Sequence, residues 1–205
     1  MKEEPIVFRS QGFTIEGLFE NAPGEKAVVV THPHPLYGGD MHNNVVQSVV
    51  TAYRKAGYST LRFNFRGAGG SQGAYDEGVG EQEDVKAALA YMSESGKTSI
   101  DLAGYSFGAW VNALGLNDFD QAKRTIMVSA PVNFIDFSFL EFNSKIQLVI
   151  AGSTDDIAPP GLIQDMIKKW NPEAQFHIIQ GADHFYWEKT GEIERIIRAF
   201  LENTV

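Results

Sequence analysis

Cysteine is absent from the 205 residues. That excludes a disulfide framework, a thiolate metal centre and a cysteine nucleophile. Basic side chains are scarce: 17 Lys and Arg stand against 26 Asp and Glu, a formal net charge of −9. So acidic a chain is not expected to bind nucleic acid or an anionic membrane surface. No apolar run approaches the roughly 18 residues of a membrane helix. The N-terminus, MKEEPIVFRS, carries acid where a signal peptide carries base, and it has no apolar core. The expected setting is the cytosol. Internal repeats, low-complexity tracts and linkers are also missing, so 1–205 reads as one domain with room for a full core.

What is present has a grammar. Pro5 to Arg9 and Phe13 to Glu20 read as an antiparallel hairpin turning at Gln11-Gly12, and Asn21 to Gly24 reads as a second turn. Short apolar runs then alternate with helical patterns. The runs lie at 27–32, 59–65, 98–104, 124–130, 146–152 and 174–181. Most are uninterrupted, as strands buried on both faces should be. Helical spacing marks Asn44 to Lys55, Glu81 to Met92, Ala109 to Leu116, Leu162 to Trp170 and Glu192 to Leu201. Six alternations of strand and helix predict a mostly parallel sheet with right-handed crossovers and helices on both faces. Ligands bind such sheets at the carboxyl ends of the strands, so the loops there carry the chemistry.

The run at 98–104 leads into G104-Y-S-F-G108. A strand that turns sharply into a helix crowds its own backbone, and glycines two before and two after the turn relieve the crowding. The serine between them is left strained, with its hydroxyl exposed. Ser106 is therefore the candidate nucleophile. A serine hydroxyl needs a base, and the base needs an orienting acid, expected in the chain order Ser, acid, His. GSTDDIAP follows the fifth run and GADHFYW the sixth. His184 is the candidate base; His177 lies mid-strand and is expected to face the helix layers. Asp155, at the apex of its loop, is favoured as the acid. Asp156 stays open, with capping of the next helix as its other role. Asp183 is too close to His184 in sequence to pair with it.

THPHPLYGGDMH, residues 31–42, holds three histidines and an aspartate. It follows the strand expected beside the nucleophile strand. Acyl transfer needs two donors for the oxyanion: the amide after the nucleophile, here Phe107, and one from this loop. Pro33 and Pro35 have no N–H; His34 lies between them and has one. The prolines bias the chain toward a rigid, extended form. The second donor is accordingly assigned to the His34 backbone, with Leu36 as the alternative. A metal reading sets His32 and His34 around zinc, completed by Asp40 and His42. It needs further ligands from distant loops, and the only one on offer, His184, already has a role. His32 is expected to pin the loop by hydrogen bonding, and Gly38-Gly39 to let the chain turn.

Taken in order, HPHPLYGG, LRFNFRGAGGSQG, GYSFG, GSTDDIAP and GADHF resemble the α/β-hydrolase superfamily, from about Ala27 to the C-terminus. The resemblance is closest to small bacterial hydrolases near the dienelactone-hydrolase and prolyl-oligopeptidase branches. It implies an α/β-hydrolase fold with an antiparallel N-terminal hairpin and no cap domain. It implies Ser106, Asp155 and His184 as a triad, with the His34 and Phe107 amides as oxyanion hole, and so favours Asp155 over Asp156. It makes F65-RGAGGSQG73 a structural loop, in which Arg66 is expected to pair with a carboxylate rather than an anionic substrate. Dienelactone hydrolases use a cysteine nucleophile; serine here points to ordinary ester chemistry.

Only Pro131 to Lys145 separates the fourth and fifth runs, too little for a helical cap. The site is expected to be open, with Leu36, Tyr37, Tyr105, Phe134, Phe137 and Phe185 as candidate pocket residues. The competing reading packs those aromatics into the edge of the core. The function so read is a serine hydrolase of the carboxylesterase kind, acting on small esters without metal or organic cofactor. Three alternatives stand beside it: a peptidase, amidase or thioesterase with the same triad; a non-catalytic binding module; and a metallohydrolase built on His32 and His34.

Overall fold

The computed structural model describes residues 2–203. It opens with a hairpin of β1 (Glu4–Ser10) and β2 (Phe13–Glu20). Gln11 and Gly12 turn it with φ of 46° and 89°, the left-handed pair that matches the twist of a two-residue hairpin. There follow β3 (Lys26–Thr31), α1 (Asn44–Lys55), β4 (Ser59–Phe63), α2 (Val79–Glu94), β5 (Ser99–Tyr105) and α3 (Phe107–Gly115). The chain continues through β6 (Ala122–Val128), β7 (Ile146–Gly152), α4 (Pro160–Trp170), β8 (Gln175–Ile179) and α5 (Thr190–Glu202). The eight strands form one sheet in the order β1-β2-β4-β3-β5-β6-β7-β8. β2 runs antiparallel to both neighbours, and β4 through β8 pair in parallel.

The uninterrupted runs are explained by what covers each face. Val28 and Val30 of β3 point to one side, where they pack with Val46, Val49 and Tyr53 of α1 and Ile193 and Ile197 of α5. Ala27 and Val29 point to the other, against Val85, Leu89 and Met92 of α2 and Val111 of α3. A third cluster joins Ala109 and Ala113 of α3 to Ile163, Ile167 and Trp170 of α4. Each central strand therefore buries both sets of alternate side chains, and no polar alternation survives. Among the described residues no helix is long and apolar enough to cross a membrane.

The expected six-fold alternation fails once. No helix lies between β6 and β7; the crossover at 129–145 is irregular. Its Pro, Asn, Asp and Ser content explains this, since such side chains bond the backbone locally in place of a helical ladder. Asp136 does so, accepting the Ser138 amide at 2.8 Å. Nothing in the segment builds a cap over the sheet edge. Several boundaries also shift, two of them at the site. α3 begins at Phe107, directly after Ser106, and β6 ends at Val128, which leaves Ser129 and Ala130 in the loop above the sheet.

Candidate active site

β5 is flanked by β3 and β6, so the loops that follow these three strands meet above the centre of the sheet. Ser106 joins β5 to α3 with φ 54° and ψ −120°, a strained geometry for any residue with a side chain. The two glycines of GYSFG each answer to a particular neighbour. A Cβ on Gly104 would lie 2.6 Å from the Ala109 nitrogen, and one on Gly108 would lie 2.6 Å from Thr31 Oγ1. The first lets α3 close over its own strand; the second lets α3 lie against the end of β3.

Three side chains from three loops converge here. His184 Nε2 lies 2.9 Å from Ser106 Oγ, and His184 Nδ1 lies 2.9 Å from Asp155 Oδ2. Asp155 is buried after β7, and its Oδ1 also accepts the Ile157 and Ala158 amides at 3.0 and 2.8 Å. Burial alone would push the Asp155 carboxyl up. The hydrogen bond and charge of His184, with donors from Ser129 and Ala158, outweigh it and hold the carboxyl below the usual range. The neighbouring Asp183 shapes the His184 loop: its Oδ1 accepts the Phe185 and Tyr186 amides at 3.0 Å each. Asp156 is exposed, and α4 starts with no side-chain cap, so the capping role open to Asp156 is not taken.

The loop after β3 is organised by His32. Its Nδ1 lies 2.6 Å from the Pro33 carbonyl oxygen and its Nε2 accepts the Phe65 amide at 3.0 Å. A carbonyl only accepts, so Nδ1 carries the hydrogen and the ring is neutral. Burial pushes its pKa down to about 4. The Pro33–His34 peptide is trans. With its carbonyl turned to His32, its N–H must point the opposite way, and His34 lines the pocket beside Ser106 and Phe107. The His34 N–H meets no carbonyl among the described residues. Phe107 opens α3, where an N–H has no partner within the helix and the helix dipole is positive. Leu36, the alternative donor, is occupied: its amide donates to His34 Nδ1 at 3.3 Å. Gly39 touches this loop so closely that a Cβ would lie 2.2 Å from the Pro33 oxygen.

The same contacts count against His32 as a metal ligand. Both His32 nitrogens are engaged and the ring is enclosed, so it has no lone pair to give a metal. Among the described residues no three His, Asp or Glu side chains converge as a metal site. Arg66 also faces inward. Its Nη2 pairs with Asp84 of α2 at 2.9 Å, its N–H bonds the same carboxylate at 2.9 Å, and both side chains are buried. That pairing ties the loop after β4 to α2.

Above Ser106 lies a pocket of about 470 Å³, lined by His34, Tyr37, Tyr105, Phe107, Phe134 and Phe185 among others. Pro131, Ile135, Ile157 and Asn43 complete walls that the sequence reading did not name. Two candidates fall outside. Leu36 is exposed beyond the rim, and Phe137 is buried against Trp170 with ring centres 5.4 Å apart. Of the phenylalanines at 134, 137, 139 and 142, only Phe134 reaches the pocket. Tyr105 does more than line it: its hydroxyl donates to the His184 carbonyl at 2.6 Å. Ser129 was missed altogether, though the loop after β6 was among those expected to carry chemistry; Tyr186, expected only as one of the aromatics that follow the base, is wholly buried and off the pocket.

Set against known proteins, the chain matches no family model. It is 35% identical over 208 residues to an uncharacterized protein of Rickettsia prowazekii, covering 96% of this chain and 87% of that one. Among solved structures, an alpha-beta serine hydrolase homologue from Coxiella burnetii superposes with a TM-score of 0.90 at 32% identity, covering 98% of each chain. An a/b serine hydrolase without lid from Xanthomonas campestris gives the same TM-score at 25% identity, covering 100% of this chain and 96% of that one. The chain belongs to the α/β-hydrolase superfamily. Its sheet and hairpin form that fold without a cap, as in the lid-less Xanthomonas protein, and these neighbours support a hydrolase.

Proposed function

We propose that the protein is a serine hydrolase that cleaves small, uncharged carboxylic esters through an acyl-enzyme. One observation carries this reading. Ser106, His184 and Asp155 are linked by contacts of 2.9 Å each at the base of a pocket that no Asp, Glu, Lys or Arg among the described residues lines. A charged acyl or alcohol group would find no counter-charge there, whereas an apolar one would gain contact with the aromatic walls.

The chemistry follows from the donors and acceptors. Ser106 Oγ attacks the ester carbonyl as its proton passes to His184 Nε2. Negative charge gathers on the carbonyl oxygen, within reach of the Phe107 and His34 amides; one such donor typically lowers the barrier by about 3 kcal/mol. The C–O bond to the alcohol then breaks, and the alcohol leaves with the proton from His184. Water, deprotonated by His184, attacks the acyl-enzyme, releases the acid and restores Ser106. Asp155 holds the imidazole in the tautomer that presents Nε2 and stabilises its charged form. A net charge of −9 supports a free small molecule rather than nucleic acid or an anionic membrane as the partner, in a cytosolic setting.

The test is a fluorophosphonate, applied with and without prior EDTA, and mapped by mass spectrometry. Labelling at Ser106, indifferent to EDTA, is expected, with turnover of acetyl to octanoyl aryl esters. Ser106→Ala should lose both while it keeps its fold. Turnover retained in that variant would refute the assignment.

A further inference from the structure

β6 ends at Val128, and the next residue, Ser129, is wholly buried with φ of 45°. A serine stays in that region only when its surroundings enforce it. Here its amide donates to the Ile150 carbonyl at 2.8 Å, pinning it between the ends of β6 and β7. The hydroxyl then sits 2.7 Å from Asp155 Oδ2 and 2.6 Å from the Tyr186 phenol oxygen. Tyr186 is also wholly buried, and it too has a positive φ, 54°. Two residues are thus held in seldom-used conformations, one bringing its hydroxyl to the Asp155 carboxylate and the other bringing its hydroxyl to the first.

The hydrogens can be assigned by elimination. An ionised carboxylate only accepts, so Ser129 donates to Asp155. Ser129 has one hydrogen, so Tyr186 must donate to Ser129 Oγ. Burial pushes the Tyr186 phenol well above its ordinary range, so it keeps that hydrogen. Donation then runs one way, from Tyr186 to Ser129 and from Ser129 to Asp155. The other lobe of the carboxylate is satisfied by backbone amides, which no side-chain substitution removes. Among the described residues Ser129 is the one hydroxyl that shares Oδ2 with His184.

The geometry points to Ser129, backed by Tyr186, as a positioning residue of the reaction: its hydroxyl fixes the Asp155 carboxylate for His184 and shares its charge. This rests on the triad reading above. Of the titratable groups around Asp155, His184 bonds it directly and Tyr186 reaches it through Ser129. Tyr105 is coupled electrostatically to the same carboxylate, and Asp183 to both phenols. Removing the Ser129 hydrogen bond leaves Asp155 more basic. A more basic carboxylate makes the Asp155–His184 pair hold its protons more tightly, so the acid limb of activity must move to higher pH.

The experiment compares wild type, Ser129→Gly, Ser129→Ala and Tyr186→Phe. It reads kcat and KM for an aryl ester across pH 5–9, and fluorophosphonate labelling of Ser106. Glycine suits a φ of 45°, so Ser129→Gly removes the hydroxyl without straining the backbone. Its kcat should fall about tenfold, with KM changed less than about twofold and the acid limb of kcat/KM raised by about half a unit to one unit. Tyr186→Phe should shift the limb the same way by less. A Ser129→Gly profile that superimposes on wild type, with Ser106 still labelled in both, would overturn the role of Ser129 alone. Failure of wild type to label at Ser106 would overturn the triad reading and this one with it.

Discussion

His32 joins two loops through one neutral ring: its Nε2 accepts the Phe65 amide at 3.0 Å while its Nδ1 holds the Pro33 carbonyl at 2.6 Å. Phe65 lies just past β4, so the ring ties the end of β3 to the end of β4. By fixing the Pro33 carbonyl it also fixes the direction of the His34 amide. A residue with no contact to substrate thereby sets a proposed oxyanion donor.

That arrangement makes folding sensitive to acid. The imidazole has a pKa near 6.5 in the unfolded chain and about 4 in the fold. The unfolded state therefore binds more protons between these values, and stability rises with pH across the window. The contribution is complete above about 6.5, shrinks as pH falls, and is gone below about 4; its full size is of order 3 kcal/mol. Urea unfolding at pH 7 and pH 5 should differ by about 2 kcal/mol from this group. His32→Gln should be less stable at pH 7 and should lack that part of the difference. Equal slopes in both proteins would mean that His32 titrates normally in the fold.

Gly39 tests the same loop from the other side. Its φ is ordinary for an L residue, but a Cβ would lie 2.2 Å from the Pro33 oxygen and 2.7 Å from the His34 oxygen. Gly39→Ala must displace the Pro33–His34 peptide, whose N–H is the proposed second oxyanion donor. Loss of one oxyanion donor costs about a hundredfold in kcat, so a fall of ten- to a hundredfold is expected, with KM little changed. The thermal unfolding temperature should fall as well, since displacing the Pro33 carbonyl unpairs the buried His32 Nδ1–H at a cost of about 1–3 kcal/mol, so kcat is read at a temperature where the variant is fully folded. Unaltered kcat would move the second donor away from His34.

Phe134 and Phe137 look alike in sequence and are separated by the structure. Phe137 packs on Trp170 in the cluster beneath α4, and Phe134 stands largely exposed at the pocket. Phe137→Ala should cost about 3–4 kcal/mol of stability through the cavity it leaves, with a normal KM in whatever remains folded. Phe134→Ala should cost well under 1 kcal/mol and raise KM several-fold for the longer acyl esters, with little effect on acetate. Denaturant titration and a chain-length series separate the two. Similar behaviour from both variants would return Phe134 to the core reading.

How much of this was legible in the sequence follows the physics of each signal. Strands buried on both faces leave uninterrupted apolar runs, so the parallel sheet could be read from AVVV and IQLVIAG. The carboxyl-edge rule then put Ser106, Asp155 and His184 in loops that meet. The irregular crossover was less legible, because a run of phenylalanines has no period that tells a core side from a solvent side. Ser129 was not legible at all, and Tyr186 only as an aromatic beside the base. Their roles depend on positive φ at residues with side chains, and sequence patterns carry no mark of that. His32 was legible as a loop pin; its two partners, one of them 33 residues away, were not.

Asp155 and Asp156 are adjacent carboxylates whose separation was open from the residues alone. The structure buries the first among His184, Ser129 and two amides, and leaves the second exposed. The Asp156 backbone is in use, its carbonyl accepting from Asn133 at 3.0 Å, and no hydrogen bond among the described residues uses its carboxylate. Asp155→Asn replaces one acceptor oxygen with an NH2 group. That group turned toward His184 would favour the tautomer with the hydrogen on Nε2, the wrong atom for taking a proton from Ser106. A fall of about 10³- to 10⁴-fold in kcat is expected, as for the equivalent change in other triads, with fluorophosphonate labelling slowed in step. Asp156→Asn should stay within about twofold of wild type, because an exposed carboxylate next to the site contributes little through water. If Asp156→Asn instead proves the damaging change, the acid of the triad has been misassigned, and the Ser129 contact with Asp155 would have to be read as packing.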